Sequence, residues 1–158
     1  MSRLALAAHQ EINRQLFEYA IACDTHDWPR LAALFSHGRY HFADADGSEA
    51  VIRWGESEVK NDARTQHALS SVSIELDDLD APNRARVRNY LSLFAADEAG
   101  RAALVSASLF DNAFEAVDGS WRWRRQVITP LFRGDWTLIH RAQQFGHASF
   151  SAQEQRRL

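Results

Sequence analysis

Cysteine is nearly absent from this chain. The single one, Cys23, rules out an intrachain disulfide, and nothing around it has the spacing of a metal site. On a helical apolar stripe it reads as a small buried hydrophobe. Long apolar runs are also missing: none approaches the roughly 18 residues a membrane span requires. Met1 to Gln10 has neither the apolar core nor the cleavage site of a secretory leader, so a soluble cytoplasmic protein is expected. Positive charge is not in excess, with 18 Lys and Arg against 21 Asp and Glu. The two signs are interspersed, which removes nucleic acid as a partner. There is no H-E-x-x-H and no His-x-His, and His37 and His41 are four apart but separated by Gly38, so no bound metal is expected. The glycine-rich phosphate loops and the G-x-S-x-G elbow are absent too, which excludes the usual nucleotide and nucleophile-elbow readings.

What remains is a chain of 158 residues, 46% hydrophobic and 25% charged, enough for a single globular domain over 1–158 with a sizeable core. Aromatic residues make up 11%, including five Trp and nine Phe, and such side chains fill large cores and line apolar pockets.

From Leu4 to Asp24 the pattern is helical: Ile12, Leu16, Tyr19 and Cys23 share one face, with Gln10, Glu11, Asn13, Arg14, Gln15 and Glu18 mostly on the other. A second helix begins near Trp28, with Asp27 as N-cap and Pro29 in its first turn, and stops at Ser36-His37-Gly38. Arg39 to Ala43 reads as a short strand entering the turn Asp44-Ala45-Asp46-Gly47. Ser48 to Asn61 is expected to be helical, although Gly55 weakens it. After Arg64 the period changes from 3.6 to 2, with strands expected over Ser71–Asp77, Arg84–Ala95, Arg101–Val117 and Trp121–Thr129. Val117-Asp118-Gly119-Ser120 is a hairpin signal. The tail beyond Trp136, about 137–158, turns polar. Helices first and antiparallel strands afterwards mean α+β: a cone-shaped curved sheet, antiparallel or mixed, packed on N-terminal helices with a ligand cavity at its mouth.

Three residues could carry chemistry together. Tyr19 lies inside the apolar stripe, either as a core tyrosine or as a phenol presented to a cavity. Asp24 follows five residues on, about 140° round the helix. It faces the negative end of the helix dipole, where a carboxylate gains nothing. It is either a turn residue or a group that orients a histidine and supports its imidazolium. His67 opens the first long strand. Strict alternation sets it with Ser71, Ser73 and Glu75, opposite Val72, Ile74 and Leu76. Either that polar-looking face lines the cavity, or a bulge near Ser70-Ser71 re-aims the side chain. Arg125 falls by parity on the face of Trp121, Trp123 and Val127, where it could bind an anion or stack on tryptophan. Tyr40, Trp54 and Arg125 are the candidate substrate contacts.

Ile12, Leu16, Tyr19-Ala20-x-Ala22-x-Asp24 and Asp27-Trp28-x-x-Leu31-x-x-Leu34-Phe35 resemble the opening of SnoaL-like proteins of the nuclear-transport-factor-2-like superfamily. Thr65-Gln66-His67 and Asp118-Gly119-Ser120-Trp121-Arg122-Trp123 continue the resemblance, which covers about residues 8–136. It implies a cystatin-like α+β barrel. The group includes enzymes such as scytalone dehydratase, bile-acid 7α-dehydratase and lindane dehydrochlorinase, in which an Asp–His pair abstracts a proton and drives elimination without a redox cofactor. Asp24, His67 and Tyr19 match the aspartate, histidine and tyrosine of that set, whereas the arginine of the dehydrochlorinase would align nearer Gln126 than Arg125. Tyr40 and His41 are the nearest candidates for a second tyrosine and histidine.

The resulting expectation is a cofactor-independent lyase or isomerase acting on an apolar small molecule, with His67 as base, Asp24 orienting it and Tyr19 donating a hydrogen bond. Two rivals use the same cone: a non-catalytic ligand-binding protein, and a structural β subunit of a ring-hydroxylating dioxygenase. Homo-oligomerisation, as dimer or trimer, is implied by the resemblance.

Overall fold

The computed structural model describes residues 1–38, 41–42 and 45–139. Helix α1 spans Arg3–Asp24 and begins at Ser2, whose side chain accepts from the Ala5 N–H at 3.1 Å. Ile12, Leu16, Tyr19 and Cys23 are all buried, as their spacing requires. Gln15 departs from the expected polar face. It is buried, and its Nε2 donates to the Trp121 carbonyl at 2.6 Å, while Glu11 Oε1 accepts from the Trp121 N–H at 3.1 Å. These two bonds pin the middle of α1 to the start of the last strand.

Helix α2, Trp28–Leu34, is capped by Asp27, which accepts from the Arg30 N–H at 3.1 Å. Within the expected strand over 39–43 lies β1, His41–Phe42, which pairs antiparallel with β2, Ala45–Asp46. Residues 39, 40, 43 and 44 lie outside the described residues. Helix α3 covers Ser48–Glu58, and its unfavourable glycine has a packing reason. A Cβ at position 55 would run into the indole of Trp28, so glycine lets α3 approach α2 closely.

Four long strands, β3 (Arg64–Leu76), β4 (Arg84–Ala96), β5 (Ala102–Val117) and β6 (Ser120–Arg133), form a curved antiparallel sheet in the order β3-β4-β5-β6. The sheet is unclosed, with β3 and β6 at its edges. Asp118 and Gly119 both take positive φ (50° and 76°), the geometry of a tight two-residue hairpin between β5 and β6.

Bulges set which side chains face the helices. On β3, Ser70 pairs with Tyr90 and Ser73 with Arg88, so Ser71 and Val72 together oppose Asn89. Ser71 absorbs the extra residue at φ 51°. Inward positions on β3 are therefore Thr65, His67 and Leu69 before the bulge and Ile74 and Leu76 after it, opposite the buried Ala95, Leu93, Leu91, Val87 and Ala85 of β4. On β6, Phe114 pairs with Trp123 and Ala113 with Arg125, which leaves Arg124 as the extra residue. Trp121 and Trp123 face inward before this bulge, and Gln126 after it.

The core lies between the concave face and α1 and α2. Trp123, fully buried, has ring centroids of Phe114 at 4.7 Å, Phe35 at 4.8 Å and Tyr19 at 5.8 Å. Aromatic pairs of this kind add about 0.5–1.5 kcal/mol each beyond the area they bury.

Candidate functional site

Asp24 is the last residue of α1, and the chain leaves the helix through Thr25, whose N–H and hydroxyl both donate to the Ile21 carbonyl (2.9 and 2.7 Å). This turn aims the Asp24 carboxylate at the start of β3. There it accepts from His67 Nδ1 at 2.6 Å, from the His67 main-chain N–H at 2.9 Å to Oδ2, and from the Thr65 hydroxyl at 2.9 Å. A carboxylate placed against the helix dipole thus finds its partners on the sheet.

Burial raises the pKa of the Asp24 carboxyl, but the His67 ring hydrogen bond, the His67 main-chain N–H, the imidazole charge and the Thr65 hydroxyl together outweigh it and leave the group below the usual carboxylate value. An ionised carboxylate only accepts, so His67 Nδ1 carries the proton of this bond, and in the neutral ring the lone pair lies on Nε2. Both side chains are largely shielded, at 20% and 16% exposure, which strengthens their attraction relative to a surface pair.

Tyr19 stands beside this pair. Its ring meets the His67 imidazole edge-on at 6.4 Å and also contacts Phe35 at 6.2 Å and Phe110 at 5.9 Å. A side-chain hydrogen bond links it to Cys23 one turn on. Burial, with Asp24 nearby, pushes the Cys23 thiol far up, and that hydrogen bond offsets only part of the rise. Cys23 is accordingly a packed, unreactive thiol.

Asp24, His67 and Tyr19 therefore come together, and the bulge at Ser71 resolves the parity conflict at His67. Trp54 is half-buried on α3, with its ring 6.2 Å from that of Trp28, which in turn stacks on His26 at 5.4 Å. Arg125 does not take its expected place. The bulge at Arg124 turns it to the exposed outer face, and Gln126 occupies the inward position instead. Tyr40 lies outside the described residues. Among the described residues, no three His, Cys, Asp or Glu side chains converge as a metal-holding group.

Sequence reasoning missed a set of buried amides. Asn89, Asn112 and Gln126 are 1%, 0% and 3% exposed on the concave face. Asn112 Nδ2 donates to Asn89 Oδ1, and Gln126 Nε2 donates to Asn112 Oδ1, both at 3.1 Å. The signal was available. Asn89 shares its phase with Val87 and Leu91, and Asn112 with Phe110 and Phe114, so each is a polar residue in an apolar register.

Comparison with known proteins places this geometry in context. The model of the SnoaL-like domain matches residues 4–127. Among solved structures, an NTF2-like protein with a cystatin-like fold from Novosphingobium aromaticivorans superposes with a TM-score of 0.69 at 20% identity, covering 86% of this chain and 90% of that one. A protein provisionally assigned as a scytalone dehydratase from the same organism gives 0.67 at 21% identity, covering 86% and 92%. A hexachlorocyclohexane dehydrochlorinase gives 0.63 at 18% identity, covering 83% and 94%. At these identities the likeness concerns the fold. No curated protein matches the sequence.

Proposed function

The chain belongs to the SnoaL-like domain family, and from that premise we propose that it is a small-molecule lyase or isomerase using an Asp24–His67 dyad beside an apolar pocket. The observation that carries this reading is the 2.6 Å contact from Asp24 Oδ1 to His67 Nδ1. It fixes the ring and leaves Nε2 as the basic atom. In the proposed step, Nε2 removes a proton from carbon next to a substrate carbonyl, and Asp24 supports the imidazolium that forms. A β-hydroxyl then leaves as water after receiving a proton, or the proton returns at another carbon in an isomerisation. Tyr19, beside the imidazole, is the candidate hydrogen-bond donor to the developing oxyanion. Each such group contributes roughly 10²–10⁴-fold. No cofactor takes part in this scheme.

The test is dehydration of a bicyclic β-hydroxy ketone, 3-hydroxy-1-tetralone, to 1-naphthol and water, followed by naphthol fluorescence. The wild type is expected to turn over and Asp24→Asn to lose most of the rate while remaining folded; equal rates in the two proteins would end the dyad reading. A binding protein of the same fold would hold the ketone without converting it. A dioxygenase β subunit would co-purify with a larger iron–sulfur subunit.

Self-association stands as a second proposal. Tyr90 and Phe132, 45% and 55% exposed, lie on the outer sheet face in adjacent uncharged rows, suited to a second copy of this chain. Sedimentation of the full chain tests it, and a monomer at high micromolar concentration would refute it.

A further inference from the structure

The inner-face amides form a chain whose direction can be assigned. Asn89 Nδ2 donates to the Tyr90 carbonyl at 3.2 Å, which turns its Oδ1 toward Asn112. Asn112 Nδ2 donates to that oxygen and to the Val87 carbonyl at 3.4 Å, which turns Asn112 Oδ1 toward Gln126. Gln126 must then present its NH₂ to Asn112, and its own oxygen is left over. That Oε1 is buried without a partner, as is Nε1 of Trp123, the preceding inward residue of β6. The chain thus ends in one unused acceptor, and the neighbouring inward residue of the strand carries one unused donor.

Tyr19 packs over the rows of the sheet that flank the Asn112–Gln126 pair. The tyrosine ring contacts Phe110 at 5.9 Å in the row on one side of the Asn112–Gln126 pair, and Trp123 at 5.8 Å in the row on the other. The same ring lies 6.4 Å from His67. One tyrosine ring therefore packs against both the candidate base and the indole that carries one of the two unsatisfied groups. The charge of this surface is equally informative. Every arginine on β3 to β6 is exposed, and the chain's one lysine, Lys60, lies outside these strands, so among the described residues these strands turn no lysine or arginine to the concave face.

We infer that Gln126 Oε1 and Trp123 Nε1 form a polar subsite for an uncharged, oxygenated small molecule: the amide accepts from a ligand hydroxyl and the indole donates to a ligand carbonyl or ether oxygen. The inference rests on the proposal that the concave face is where the small molecule binds. Its consequence is selectivity. A halocarbon or plain hydrocarbon of the same shape leaves both buried groups unpaired, and a carboxylate sets its charge against the Gln126 oxygen with no lysine or arginine of these strands to offset it. An ordered water at the two atoms would satisfy them without any ligand preference, and the experiment separates the two.

Binding of 4-hydroxy-1-tetralone, tetralin and 1-naphthoate to the full chain is measured by quenching of tryptophan fluorescence. The hydroxy ketone is expected to bind about tenfold or more tighter than tetralin, with naphthoate no better than tetralin. Trp123→Phe, which removes only the indole N–H and part of a ring, and Gln126→Leu should each remove about tenfold of that preference. Circular dichroism verifies folding; if the leucine variant does not fold, Gln126→Met and Trp123→Phe carry the comparison. Equal binding of tetralin, tighter binding of naphthoate, or a preference that survives both substitutions would overturn the inference. The preference is also measured in Asp24→Asn, where it should persist. Failure of the dyad proposal appears in turnover alone, and failure of the subsite appears in ligand preference alone.

Discussion

Asp24 holds His67 twice, by the ring Nδ1 at 2.6 Å and by the main-chain N–H at 2.9 Å, so one carboxylate fixes both the strand start and the imidazole it carries. A tautomer prediction follows directly. In the wild type, ¹⁵N NMR should report the proton on Nδ1 and a lone pair on Nε2. In Asp24→Asn, the amide can turn its NH₂ toward the ring and favour the opposite tautomer. A mixed or reversed ¹⁵N pattern is expected there, with loss of rate on the order of 10²–10⁴-fold. An unchanged tautomer would show that something other than Asp24 orients the ring.

The same contacts make Asp24 a source of pH-dependent stability. Its carboxyl is held below its ordinary value in the folded chain, so the unfolded chain binds the proton more readily. The stabilisation is complete above the unfolded value of about 3.9 and is lost as pH falls through the lower folded value. Urea titrations should therefore show the wild type losing its stability margin over Asp24→Asn as pH drops below about 4, with a constant margin above about 5. A margin independent of pH across this window would contradict the assigned hydrogen bonds.

The helices were legible because burial follows spacing. Ile12, Leu16, Tyr19 and Cys23 announce their face, and Asp27 announces its cap. The sheet was legible as strands, but not as faces. Period-2 alternation carries across a strand only while the register holds, and one extra residue inverts every side chain beyond it. Ser71 and Arg124 are such residues. Neither is a glycine, so no local signal marks them. Alternation alone therefore leaves His67 either with Ser73 and Glu75 or re-aimed by a bulge near Ser70-Ser71, of which the structure has the second, and it gives Arg125 the inward position that Gln126 holds. The amide chain escaped notice for a different reason: its meaning depends on β4, β5 and β6 lying side by side, which only the register shows.

The bulge at Ser71 can be tested by removing it. Deleting Ser71 leaves Val72 alone opposite Asn89, so Thr65, His67 and Leu69 and also Ile74 and Leu76 keep the inward face under strict alternation. The Asp24 contacts and the buried apolar area are then retained, and a stability change within about 1 kcal/mol is expected in denaturant titration. Ser71→Gly should keep the bulge and be neutral or slightly stabilising, because φ 51° suits glycine. A deletion variant that loses about 3 kcal/mol or more, as a flipped face would, would show that Ser71 is not the extra residue that sets the phase of β3.

Gly55 offers a prediction opposite to helix propensity. In an exposed helix, Gly→Ala stabilises by about 1 kcal/mol. Here the added methyl would meet the Trp28 indole, itself stacked on His26 and edge-on to Trp54. Gly55→Ala should therefore destabilise, by about 1–3 kcal/mol, as overpacking does. Thermal melts of Gly55→Ala beside Gly47→Ala, where no atom lies within 4 Å but φ is +84°, separate the steric from the conformational cost.

Arg125 and Gln126 are neighbours with opposite expected behaviour. The guanidinium is on the outer face, so Arg125→Ala should leave ligand affinity within about twofold and stability within about 0.5 kcal/mol, as for surface changes generally. Gln126 ends the amide chain, and its truncation strands the Asn112 oxygen in a buried setting, at a cost of about 1–3 kcal/mol. Paired titrations of the two variants, for stability and for 4-hydroxy-1-tetralone binding, check this. If Arg125→Ala weakens binding as strongly as Gln126→Leu, the strand does not carry its bulge at Arg124, and the inward face of β6 must be reassigned.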